Sequence, residues 1–559
     1  MSPTPSGSKK SYRDLLEELK AWFPAPISNP VMDGYFVHAI SRFLDRLDGL
    51  KSAAPVLGRK KERDYGKSLC EGSPEEMCSI EEVTELLVDY CQGMPIWAHP
   101  NAQDNVVPSA SIPSIMAFMA ASIYNPNMVS DEYSSRFSEA EIAAIAILSE
   151  MIGYDPQRSG GIFTFGGTGT SLYGCKLGIE KALKGNGMSD GIREEVKIVA
   201  SEASHYTRLN IAGWLGVGTK NVITIPTTLN NDMSLGHLER YLRGAFERGE
   251  KVAVLLVTMG TTDAFGIDDL TSIVSLRNDL SLRYGLECPP HIHADAVIGW
   301  VWIVFKDYDF EMNPLAFGSR TLRSIRESLD RIKNLGLADS MGVDFHKTGY
   351  APYVSSAFLC QDRQDLALLS REPDEMPYLY HFGRYKPGIY SLECSRPGTS
   401  ALAALANLRL FGKQGYRVLI GHVVEMAEML RERLESYPFI RVLNNYNYGP
   451  VTLFRVYPDQ AGQPHLFERE LTDAEYRREL LAHNDYNRRI FDLIHERAMR
   501  GEGILLSWTR AYRNAEYTGG PPVAALKSYI MSPWTDPKAI DMVVRQVLEA
   551  RKSIPSLKE

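Results

Sequence analysis

Val252-Ala253-Val254-Leu255-Leu256-Val257-Thr258 is an unbroken apolar run that ends on a threonine. A strand that alternates apolar with polar residues covers one face of a sheet; a strand that does not alternate is buried on both. The neighbouring segments repeat this theme. Residues 161–165, 196–200 and 222–226 read as short strands upstream, and 291–294 as another downstream. Helical periodicity fills the gaps at 172–183, 206–215, 235–247 and 270–284. This alternation predicts an α/β fold with an open, mostly parallel sheet and helices on both faces. Such sheets bind ligands at the carboxyl ends of their strands.

The rest of the chain fits around that sheet. At 559 residues it is long enough for two or three domains. Helices are expected at 11–22, 31–50 and 80–90, with a charged loop at 58–66 and an irregular, proline-rich stretch at 94–113 that is suited to line a site. The first ten residues read as disordered. A helix is expected at 138–151. Beyond helices at 401–409 and 418–434, strands at 439–443, 451–456 and 504–509 and helices at 474–499 and 539–552 read as a smaller α+β unit, with a hinge at 412–415. The expected division is therefore an N-terminal helical extension (1–110), a large domain (111–412) and a small C-terminal domain (413–559).

Composition excludes several classes. Hydrophobic content of 44% and charged content of 23% are ordinary for a soluble globular protein. A net charge of −8 argues against nucleic acid or an anionic membrane as partner. No apolar run is long enough to span a bilayer, and the N-terminus lacks the apolar core of a signal peptide. The seven cysteines (Cys70, Cys78, Cys91, Cys175, Cys288, Cys360, Cys394) are scattered and form no CxxC, as expected in a reducing cytoplasm. No metal site is expected.

Four segments at strand exits carry the chemistry. Gly166-Gly167-Thr168-Gly169-Thr170-Ser171 opens a helix, where backbone N–H groups and the helix dipole favour phosphate, although a plain helix start reads the same way. His205 in Ser201-x-x-Ser204-His205 is either a ring-stacking imidazole or an ordinary histidine at a helix start. Asp295 in His293-Ala294-Asp295-Ala296 either pairs with a protonated pyridine nitrogen or caps a turn. Thr258 supports the same ring or simply packs. Lys347 in Val343-Asp344-Phe345-His346-Lys347-Thr348-Gly349-Tyr350-Ala351-Pro352-Tyr353 supplies an amine for a Schiff base, with its neutral form favoured in a partly dry pocket. Together these are the parts needed to hold pyridoxal 5'-phosphate. Arg396 in Ser395-Arg396-Pro397-Gly398 is either a bidentate clamp for a substrate carboxylate or a domain-boundary salt bridge.

In this order, Gly-Gly-Thr-x-x-Ser-Leu, Ser-His-Tyr, Met-Gly-Thr-Thr-Asp, His-Ala-Asp-Ala and Asp-x-His-Lys make the chain resemble the group II pyridoxal-phosphate-dependent amino-acid decarboxylases from about Trp97 onward. Tyr124-Asn125-Pro126-Asn127 and His346-Lys347-x-Gly349-Tyr350-x-Pro352-Tyr353 are most similar to the bacterial tyrosine decarboxylases. The resemblance implies a fold-type I, aspartate-aminotransferase-like homodimer with active sites at the interface. It implies a covalent aldimine at Lys347, ring contacts from His205 and Asp295, and Gly167, Thr168 and His346 beside the phosphate. Tyr353 becomes a candidate proton donor, and Tyr380, or Tyr378 beside it, the tyrosine of a mobile catalytic loop. The implied activity is α-decarboxylation of an L-amino acid. The related sphingosine-phosphate lyases keep carbon–carbon lyase chemistry as an alternative, and oxygen-dependent deamination is a third. A degenerate scaffold is the non-enzymatic alternative. The chain departs from the family at His99-Pro100-Asn101-Ala102-Gln103, which replaces an aromatic-rich run and makes His99 and Asn101 candidates to meet substrate. It departs again at Trp300, a bulky residue where the family has small ones, expected to reshape the pocket or the interface.

Overall fold

The computed structural model describes residues 11–458 and 465–554. The expected disorder of the first ten residues lies outside them. The chain divides into two units, residues 1–96 with 496–503, and 97–495 with 504–559. The first unit is helical: Tyr12–Lys20, Pro30–Asp48, Tyr65–Leu69 and Ile80–Cys91. Ser11 with Asp14 and Ser79 with Glu82 form reciprocal capping boxes that fix two helix starts.

The second unit is built on a seven-stranded sheet. Its strands are β1 (Gly160–Thr164), β2 (Val196–Ser201), β3 (Val222–Ile225), β4 (Lys251–Thr258), β5 (His291–Asp295), β6 (Ser340–Asp344) and β7 (Ser356–Cys360), in the order β1-β7-β6-β5-β4-β2-β3. The pairings are parallel except those of β7, which runs antiparallel to both its neighbours. The sequence reading anticipated the parallel core but named neither β6 nor β7. Both are short and fully buried, so no alternation marks them.

Residues of single strands feed different cores, which places helices on both faces. Ile198, Ala200 and Leu256 pack with Cys175, Ile179 and Ile211 on one side. Val199, Leu255 and Val257 pack with Leu238, Leu242 and Ile273 on the other. On the first side the helix Gly167–Ala182 lies so close to the sheet that methyl groups are excluded. A Cβ on Gly174 would collide with the His293 ring, and one on Gly178 would lie 2.6 Å from Val254. Gly174→Ala is therefore expected to cost about 1–3 kcal/mol by overpacking. A denaturation midpoint equal to wild type would contradict this packing.

The smaller sheet lies in the same unit. It contains β8 (Ile440–Val442), β9 (Val451–Val456), β10 (Leu505–Asn514) and β11 (Pro522–Tyr529), with the two-residue strand Ala102–Gln103 parallel to β10 at its edge. Gly412, with φ 52° and ψ −163°, interrupts the helix Thr399–Glu435 that leads toward this sheet. Irregularity in the 94–113 stretch ends early, because the helix Ile112–Tyr124 accepts Pro113 in its first turn, where no backbone donor is lost. After β5 the chain forms the 3₁₀ turn Gly299–Phe305 and the helix Ser319–Ile332. Trp300 is fully buried against Phe345 and Tyr416, so it fills the core and does not reshape a pocket.

Candidate active site

The strand exits open on one cavity of about 440 Å³. Gly167, Thr168, His205, Thr258, Asp295, His346, Lys347 and Tyr353 line it, as do Asn105, Val106, Val107, Tyr206 and residues 260–262. Sheet register does the positioning. Thr258 pairs with Asp295 across β4 and β5, and Asp295 with Gly342 across β5 and β6.

Lys347 lies three residues beyond the end of β6, with Nζ 2.7 Å from Asp344 Oδ2. Ser356 donates from Oγ to Asp344 Oδ1 at 2.6 Å, across the β6–β7 pair. Burial works to lower the Lys347 pKa, but the Asp344 carboxylate outweighs it and pushes the amine above its usual value. The sequence reading favoured a neutral amine. It missed Asp344 as a partner, although the Asp-x-His-Lys spacing contains it. Asp295 is pushed up to about 6 by burial, which Lys347 opposes. Its Oδ1 and the Thr258 Oγ1 are buried without a hydrogen-bond partner among the described residues.

His205 receives the Thr207 backbone N–H at Nδ1 (3.4 Å), and burial and Lys347 lower its pKa. His346 Nδ1 lies 3.0 Å from the Ser355 carbonyl oxygen, and the Tyr353 ring stands edge-on to it at 4.1 Å. The helix after β1 begins at Gly167, not at residue 172. Gly166 takes φ 97°, a left-handed conformation that glycine adopts freely, and no side chain caps the first turn. Its backbone donors are thus free for an anion. A cationic ring nitrogen for Asp295, a phosphate for the uncapped turn and an aldehyde for Lys347 match these groups, so the residues fit pyridoxal phosphate.

Four expected site residues lie outside this cavity. Arg396 is 4% exposed and its fork holds Glu141, with Nη1 to Oε1 at 2.6 Å and Nη2 to Oε2 at 3.0 Å. It also donates to the Phe163 and Met128 carbonyls, which leaves it no reach to a substrate. Arg396→Ala is expected to cost about 3–5 kcal/mol, because Glu141 would be left buried and unpaired. The folded fraction should keep its substrate KM; a raised KM would restore the clamp reading. Neither His99 nor Asn101 lines the cavity: His99 accepts the Asn101 N–H at 3.0 Å, and the Asn101 carbonyl receives Leu505 N–H. Asn105, Val106 and Val107 of the same stretch do. Tyr380 is buried with its hydroxyl beside Gly388 and lies outside the cavity wall, while Tyr378 is 72% exposed. The guanidinium that suggested Arg396 as a clamp serves internal packing, and the tyrosine that the resemblance placed on a mobile loop, Tyr380, is buried.

Residues 68–456 match the sequence profile described as pyridoxal-dependent decarboxylase conserved domain. The chain is 27% identical over 377 residues to L-2,4-diaminobutyrate decarboxylase of Acinetobacter baumannii, covering 65% of this chain and 68% of that protein. It is 27% identical over 260 residues to L-tyrosine decarboxylase of Enterococcus faecalis, covering 44% of this chain but only 41% of that protein. Among solved structures, Oryza sativa TDC with PLP and tryptamine superposes with a TM-score of 0.74 at 16% identity, covering 94% of this chain and 99% of that one. That likeness supports the fold-type I architecture.

Proposed function

The chain belongs to the pyridoxal-dependent decarboxylase family, whose members are carboxy-lyases acting on amino acids, and we propose that the cavity around Lys347 is where it decarboxylates an L-amino acid. The observation that carries this placement is the buried, unpartnered Asp295 oxygen on the same cavity as the Lys347 amine.

Bound pyridoxal phosphate supplies the sink for the electron pair left when CO₂ departs. The chain's own residues do the rest. Gly167, Thr168 and the first helical turn would hold its phosphate, with His346 beside it. His205 and Thr258 would contact its ring, and Asp295 would keep a proton on the ring nitrogen. Asp344 orients the Lys347 amine. Tyr353, braced by His346 and 65% exposed, holds a phenolic proton on Oη for return to the substrate α-carbon.

The proposal includes a homodimer. The helix Ile112–Tyr124 leaves Ile112, Ile115, Met116, Met119 and Ile123 exposed at helical spacing, an apolar stripe that a second copy would cover. It also includes a reducing, cytoplasmic location, supported by seven free thiols. Among the described residues, no helix is long and apolar enough to cross a membrane. The division into an N-terminal extension, a large domain and a small domain hinged near Gly412 belongs to the same proposal.

The deciding experiment is a visible spectrum of the purified protein, followed by a panel of L-amino acids with detection of CO₂ and amine. The expected outcome is a cofactor band and equimolar CO₂ and amine from at least one amino acid. A cofactor band with aldehyde or ammonia as product, and no amine, would refute the proposal.

A further inference from the structure

The walls of the cavity differ in what holds them. Gly167, Thr168, Asp295, His346 and Lys347 stand at exits of the large sheet. Residues 105–107 and 260–262 form the other walls, the latter just beyond Thr258, and both are irregular segments whose neighbours are tied to the small sheet.

The fastenings are specific. Ala102 and Gln103 pair with Leu505 and Leu506, and Ser528 donates from Oγ to Gln103 Oε1 at 2.7 Å. That brings the 105–107 wall out of the edge of the small sheet. The 260–262 wall continues into Asp263. Lys527 Nζ lies 2.8 Å from Asp263 Oδ1, and Thr509 donates from Oγ1 to Asp263 Oδ2 at 3.0 Å. Asn444 donates to the Ala264 carbonyl at 3.1 Å, and Gly449 packs beneath the Phe265 ring. Lys527 is only 8% exposed. Its charge also reaches Asp104, whose Oδ1 is buried without a partner at the root of the other wall. One lysine on β11 therefore pairs with the Asp263 carboxylate behind one wall, and its charge reaches Asp104 at the root of the other.

We propose that Lys527 is a positioning residue for the substrate: through Asp263 it sets the 260–262 wall, and with it the space left for the amino-acid side chain opposite residues 105–107. This rests on the cavity being the decarboxylase site. Lys527 touches neither cofactor nor reacting atoms, so its effect falls on how well substrate is held.

The test compares Lys527→Met, Lys527→Arg and Asp263→Asn on whichever amino acid the wild type decarboxylates. Lys527→Met and Asp263→Asn should raise KM about tenfold, with kcat within about threefold and the cofactor band per chain unchanged. Lys527→Arg, which keeps the cation, should stay within about threefold of the wild-type KM. Unchanged KM in Lys527→Met would overturn the proposal. So would kcat, cofactor content and melting temperature falling together without rescue by arginine. Hydrogen exchange supplies a readout independent of turnover. Amides at 260–264 should exchange faster in Lys527→Met, and equal rates would overturn the proposal even if the wild type released no amine.

Discussion

Lys347→Arg should lower turnover by at least about 10³-fold, and the folded protein should survive. Arginine keeps the positive charge opposite Asp344, which is 1% exposed and would otherwise be buried without its cation. What it removes is an amine able to bond the cofactor's aldehyde carbon. The cofactor should then wash out on gel filtration, with its visible band. Lys347→Ala removes both functions and should also lose stability, by about 3–5 kcal/mol, because Asp344 loses its partner. Comparing the two separates the amine from the charge. Near-normal turnover in Lys347→Arg would displace Lys347 from the chemistry altogether.

Asp295→Asn should reduce kcat about a hundredfold or more, since a neutral amide cannot hold the proton on the ring nitrogen. Its signature in the cofactor-free protein has a definite sign. Burial pushes the Asp295 carboxyl up to about 6, above its usual value near 3.8, so ionisation opposes folding. The corresponding stability is fully present below about pH 4 and is lost as pH rises through 6. By linkage the loss amounts to about 3 kcal/mol. The amide of the variant cannot ionise. The stability difference between wild type and Asp295→Asn should therefore shift in favour of the variant over that window, as denaturant titrations at pH 4 and 7 would read. A difference independent of pH would mean that Asp295 is not a buried, strained carboxyl.

How much of this was legible in the sequence depended on what each signal measures. β4 was plain because its apolar run is long, uninterrupted and rich in valine. His205, Asp295 and Lys347 could be read as one group because their spacing put each at a strand exit, and all three line the cavity. Asp344 was read only as part of the Asp-x-His-Lys run, because its contact to Lys347 is not something spacing reveals. β6 and β7 escaped because five buried residues show no period. Arg396 illustrates the opposite error. An arginine beside a proline-glycine turn suits a carboxylate equally well whether it belongs to a substrate or to Glu141, and only packing tells the two apart. His99 and Asn101 were displaced by a few residues along their own segment: the strand Ala102–Gln103 turns the following residues into the cavity instead.

The antiparallel strand β7 has a consequence for the order in which this site comes together. Lys347 stands in the connection between β6 and β7, adjacent antiparallel neighbours, so its position depends on contacts local in the chain. His205 and Asp295 are brought to it by parallel pairings, and Gly167 by the antiparallel pairing of β1 with β7, all between partners far apart in sequence, and such long-range closures form slowly. The reactive amine can thus be set in place by its own hairpin well before the phosphate turn arrives beside it. Cofactor capture becomes a late event, a report that the distant strands have closed. A nascent or partly refolded chain would carry the lysine in place and still release the cofactor.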